Sequence, residues 1–131
     1  GGISGTTNPR VYAERDWSHA QDVMRAAWLM LQQDTPDDYV IASGASHTVC
    51  DFMDQAFNCA GLTASDYVKH DAQLYRLNEV PALWGDAQKA HRVLGWYPTV
   101  SFNELITRMV THDIIAAASD ALHHRADRNG G

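Results

Sequence analysis

The chain has 131 residues, 45% of them hydrophobic and 20% charged, an ordinary balance for one folded domain. Ten Lys and Arg against sixteen Asp and Glu leave a net charge of −6, which repels phosphate backbones and anionic lipid; nucleic acid and membrane are therefore not the expected partners. No apolar run approaches the ~20 residues that cross a bilayer, and no signal-peptide pattern opens the sequence.

Residues 1–11 are glycine-rich and polar and are expected to be disordered or a linker, and residues 123–131 a polar tail. The ordered region is expected over 12–122. Its first helix runs from about Ser18 to Gln33. Ala20, Val23, Met24, Ala27, Trp28 and Leu31 form the apolar stripe, and Ser18 with Gln21 forms a capping box. Tyr39 to Ser43 is the best strand candidate, β-branched and ended by Gly44. A second helix spans about Thr48 to Ala60, with Val49, Phe52, Met53, Ala56 and Ala60 inward and Gly61 as its stop.

Residues 66–70 and 80–85 are weaker strand candidates, and Pro81 confines the latter to an edge. A short third helix starts at Asp86 as N-cap and ends at Gly95. The fourth begins at Ser101, paired with Glu104 in a capping box. It buries Phe102, Leu105, Ile106, Met109 and Val110 and continues to about Leu122. Four helices interleaved with short strands read as a mixed α/β or α+β fold.

Cys50 and Cys59 lie nine residues apart in the second helix. At about 100° per residue they fall on opposite faces, so they neither bridge each other nor share a metal. That usage fits a reduced, cytoplasmic setting. The seven histidines include no pair at helical ligand spacing and none beside a cysteine pair, so no metal site is expected. "GGISGTT" has glycines but no strand before it, and Asn8-Pro9 follows, so it does not read as a dinucleotide loop.

Two stretches carry charges of a more specific kind. Arg15 stands just ahead of the first helix, where N–H groups and the helix dipole favour an anion and a guanidinium adds a bidentate phosphate ligand. A plain surface ion pair is equally open to it. Arg76 and Glu79 stand three apart in "YRLNEV". Either both are solvated, or the cation takes a diphosphate while the carboxylate accepts from ribose hydroxyls or a base N–H.

"RDWSHAQDVMRAAWLMLQQDTPDDYVIASGASHTV", "LYRLNEV" and "GDAQKAHRVLGWYPTVSFNELITRMV" together resemble the C-terminal part of the GDP-mannose 4,6-dehydratase family, a branch of the extended short-chain dehydrogenases/reductases. The similarity covers about Tyr12 to Ile114 in the family's order. It implies the substrate-binding portion of such an enzyme, with GDP-mannose or a related nucleotide-sugar as ligand. By this resemblance Arg15 and Arg76 would reach the diphosphate, and Glu79 the ribose or guanine side. Asp86, Lys89, Gly95 and Trp96 would be structural.

The family's reaction oxidises the sugar at C4 with NADP, eliminates water across C5 and C6 and returns the hydride to C6. The resemblance places that chemistry on a glycine-rich cofactor loop, a Tyr-x-x-x-Lys pair and a Ser/Thr with Glu. Tyr67, Tyr75 and Tyr97 are followed four residues on by Asp71, Glu79 and Ser101, so none has its lysine. The Rossmann cofactor half is thus expected to be absent. No catalytic residue is assigned, and no NADP is expected on this chain alone. Cys50 stands where the family carries arginine, and Ala72 and Leu77 where it carries proline.

A related nucleotide-sugar reductase or epimerase, a non-catalytic binding module and a degenerate fragment are the alternatives. The full-length form is compatible with a homo-oligomer, and the sequence does not fix the oligomeric state.

Overall fold

The structure, a computed structural model, describes residues 11–71, 73 and 80–129. In chain order the elements are β1 (Glu14–Arg15), α1 (Ala20–Leu31), β2 (His47–Thr48), α2 (Val49–Cys59), a 3-10 turn (Ala64–Asp66), α3 (Gln88–Leu94) and α4 (Phe102–Asn129). This is the mixed α/β arrangement of four helices and short strands expected from the sequence.

β1 is the middle of three extended stretches. On one side it pairs antiparallel with β2, Glu14 opposite Thr48 and Arg15 opposite His47. On the other it bridges Ala82 in parallel; Glu14 N donates to the Pro81 carbonyl at 2.9 Å and Leu83 N to the Glu14 carbonyl at 3.0 Å. Pro81 contributes its carbonyl here, and its missing N–H is not needed.

The first turn of α2 grows out of this cluster. Val49 N and Cys50 N, two donors that an isolated helix would leave open, reach the carbonyls of Ala13 and Val11 at 3.1 and 2.7 Å. Thr48 and Asp51 close a reciprocal capping box over the same end.

The two other expected strands form no ladder among the described residues. In Tyr39–Ser43, side chains replace ladder bonds at the far end. Asp16 accepts from Ser43 N at 3.0 Å and from Gly44 N at 2.9 Å. The segment's apolar content serves packing instead, with Tyr39 and Ile41 lying against the core. Gly85 makes this approach possible, because a Cβ there would stand 2.4 Å from the Ala42 Cβ. In 66–70 the chain has already curled into the 3-10 turn: Asp66 N reaches the Thr63 carbonyl and Tyr67 N the Ala64 carbonyl, both at 3.1 Å.

The helix faces depart further from expectation. α1 buries Asp22 and Ala26 and half-buries Leu29 and Met30, whereas Met24, Trp28 and Leu31 of its apolar stripe are 66%, 59% and 82% exposed. Small Ala26 lets α3 approach through Ala90, and both are fully buried beside Ala87, Leu94 and Trp96. α1 starts at Ala20 with His19 as its cap, the imidazole Nδ1 accepting from Gln21 N, in place of the expected Ser18–Gln21 box. α2 turns Phe52, Met53 and Ala56 inward but leaves Val49 and Ala60 exposed.

α3 ends as expected at Gly95, which adopts φ +63°. Asp86 caps its start from one residue further out, accepting from Gln88 N at 2.9 Å. In α4, Ser101 Oγ accepts from Glu104 N at 3.2 Å as expected. Leu105 and Ile106 are buried, Met109 is exposed, and the helix runs on to Asn129.

Candidate functional site

Arg15 is placed by β1, not by the start of α1. Its Nη1 donates to the carbonyls of Glu14 at 2.7 Å and Val80 at 2.9 Å. Val80 is the residue that follows Glu79 in the sequence. Arg76 and Glu79 themselves lie outside the described residues, as do Ala72 and Leu77.

Asp16 organises the loops around Arg15. Its Oδ1 accepts from Ser43 N at 3.0 Å and Ser43 Oγ at 2.6 Å, and its Oδ2 from Gly44 N at 2.9 Å and Gly85 N at 3.4 Å. One carboxylate thus joins β1 to the 43–44 turn and to Gly85. Beside it, Glu14 Oε2 accepts from Ser46 Oγ at 2.9 Å. The result is a rim of three loops fixed by hydrogen bonds, with Arg15 on it.

Behind the rim lies an aromatic layer. His47 of β2 stacks on Phe102 with ring centres 3.8 Å apart, and Trp17 packs against Phe52 and Phe102 at 5.2 and 5.7 Å. Cys50, where the resemblance expects arginine, carries a thiol whose pKa is pushed up, by burial first and then by the carboxylates of Asp54 and Asp51. It brings no positive charge to the site. The two cysteines are both free.

The residues expected to be structural have structural contacts. Trp96 is fully buried and donates from Nε1 to the Asp22 carbonyl at 2.8 Å. Lys89 pairs with Asp37 at 2.7 Å, donates to the Asp38 carbonyl and lies over the Tyr39 ring.

One residue that the sequence reading passed over holds a central position. Asp22 is 2% exposed and accepts from Thr99 N at 2.8 Å, Thr99 Oγ1 at 2.7 Å, Val100 N at 3.0 Å and Arg25 at 3.1 Å. Burial works against its charge. The Thr99 hydroxyl, the Val100 and Thr99 amides and Arg25 outweigh that effect and lower its pKa from 3.8 to about 2. Ala26, one turn on from Asp22, is fully buried, so an inward polar residue on an alanine face is visible only once that face is known.

The family model for GDP-mannose 4,6 dehydratase matches residues 8–109. GDP-mannose 4,6 dehydratase 1 of Arabidopsis thaliana is 48% identical over 104 residues, covering 79% of this chain and 29% of that protein. The chain thus spans about a third or less of that relative's length. Among solved structures, UDP-glucose 4-epimerase of Thermotoga maritima with UDP-glucose superposes with a TM-score of 0.70 at 25% identity, over 82% of this chain and 33% of that one. The dTDP-glucose 4,6-dehydratase of Bacillus anthracis in complex with NAD shares the fold, with a TM-score of 0.67 at 20% identity, over 77% of this chain and 31% of that one. With residues 8–109 matched by its model, the chain belongs to the GDP-mannose 4,6-dehydratase family.

Proposed function

We propose that this chain is the nucleotide-sugar-binding portion, residues 12–122, of a cytoplasmic GDP-mannose 4,6-dehydratase. The complete enzyme, a lyase, would convert GDP-mannose to GDP-4-keto-6-deoxymannose with NADP. Arg15 and Arg76 take the diphosphate, and Glu79 accepts from the ribose or guanine. The observation that supports this assignment is the 2.9 Å bond from Arg15 to the carbonyl of Val80, the residue that follows Glu79 in the sequence.

The expected behaviour follows from charge. A hydrogen bond from guanidinium to phosphate contributes roughly 1.5–3 kcal/mol, so Arg76→Ala weakens GDP binding by about 10-fold or more. Glu79→Gln changes the preference between GDP and UDP more than the affinity for phosphate. Calorimetric titration of both nucleotides into wild type and the two variants tests this. An unchanged GDP affinity in Arg76→Ala would sink the assignment, and tighter UDP than GDP binding would favour an epimerase-like or reductase-like specificity.

The chemistry itself needs groups that no tyrosine of this chain supplies with a lysine four residues on. Incubated alone with NADP and GDP-mannose, the 131-residue chain therefore yields no 4-keto-6-deoxy product. Turnover above a blank overturns that expectation.

A further inference from the structure

The Nη1 of Arg15 has two hydrogens, and the carbonyls that take them belong to different segments, Glu14 in β1 and Val80 in the stretch beside it. The direction of the guanidinium therefore depends on how β1 and residues 80–85 are held against each other. Backbone bonds from Glu14 to Pro81 and Leu83 hold them at one end. Asp16, the residue after Arg15, adds a bond further along, from Gly85 N at 3.4 Å. The same carboxylate ties both segments to the 43–44 turn, accepting from Ser43 N, Ser43 Oγ and Gly44 N at 3.0, 2.6 and 2.9 Å. Ser43 Oγ in turn accepts from Ala45 N at 3.2 Å, which closes that turn around the hydroxyl that Asp16 receives.

Four donors thus meet two oxygens, two on each. A carboxylate suits this place because it accepts at both oxygens and donates at neither. Asparagine has the same shape but one acceptor. In either orientation its NH2 group faces at least one backbone N–H, and that donor loses its partner.

We propose, resting on the assignment of Arg15 to the diphosphate, that Asp16 is a positioning residue for the nucleotide site. It sets the direction in which Arg15 presents its guanidinium to phosphate. Asp16 does not meet the nucleotide itself, because both its oxygens are taken up by the loops. Guanidinium binds phosphate better than a point charge does through the fixed fork of its N–H groups, and a binding group must be held within about 0.5 Å to keep such an advantage.

Calorimetric titration of GDP into the full 131-residue chain tests this, with Arg15→Ala, Asp16→Asn and the double variant compared. Arg15→Ala is expected to weaken GDP binding about 10-fold or more, and Asp16→Asn about 5-fold. Because Asp16 acts through Arg15, the double variant should be within about 2-fold of Arg15→Ala, whereas independent effects would multiply to about 50-fold. Ser43→Ala removes one donor of the four and shifts affinity in the same direction by less. It takes the place of Asp16→Asn in the cycle if circular dichroism shows that variant unfolded. GDP affinity unchanged in Arg15→Ala overturns the reading of the site, and the positioning role falls with it. An effect of Arg15→Ala with none from Asp16→Asn overturns the positioning role alone. So do effects that multiply in the double variant, because Asp16 would then act on the fold and not on Arg15.

Discussion

Asp22 shows how one buried carboxylate ties a helix to a loop it does not neighbour in sequence. Its pKa of about 2 lies below the ordinary 3.8, so its ionised form is bound more tightly in the folded state than in the unfolded one. A depressed acid contributes stability that is complete above the unfolded value and is lost as pH falls through the folded one. The contribution is about 2 kcal/mol, present above roughly pH 5 and draining away between pH 4 and pH 2. Urea unfolding of wild type and Asp22→Asn across pH 2–6 reads it directly. The two curves are expected to converge at the acid end, and parallel curves would show that the charge is not what holds Thr99 and Val100.

At this scale the sequence identified residue types better than their partners. Arg15 was legible as a cation near a helix start, but what anchors it is a carbonyl at Val80, 65 positions away, which no local pattern encodes. Asp16 illustrates the same limit. Its carboxylate serves four donors in two other loops, 27 to 69 positions away in the sequence.

Elements were legible where a local rule decides them. The stops at Gly61 and Gly95, the Ser101–Glu104 contact and the four helices all follow from capping and periodicity. The strands were not, because β1 and β2 have two residues each and exist only through pairing across the chain. Gly85 is the element-scale residue with the strongest prediction. A methyl group placed 2.4 Å from the Ala42 Cβ forces the 80–85 stretch away from Tyr39–Ser43. Gly85→Ala is expected to destabilise the fold by about 1–3 kcal/mol, the usual range for overpacking. A denaturant midpoint indistinguishable from wild type would mean that the two segments are not held in this contact.

For the whole molecule, the informative feature is the exposed apolar face of α1. Periodicity located an apolar stripe correctly, yet periodicity alone does not say which surface covers it. This chain covers the alanine face instead and leaves Met24, Trp28 and Leu31 exposed. The consequence is an asymmetry between the two sides of one helix. Trp28→Lys removes an aromatic ring that is 59% exposed, so it should lower binding of a hydrophobic dye while shifting stability by no more than about 0.5 kcal/mol. Ala26→Leu adds bulk where Ala26 and Ala90 are both fully buried, so it should destabilise by about 1–3 kcal/mol and leave the exposed patch in place. Dye titration and urea melts on the two variants measure both quantities. If Trp28→Lys unfolds the chain and Ala26→Leu does not, α1 is packed by its Trp28 face, and the core built on Ala26, Ala90 and Trp96 is wrong.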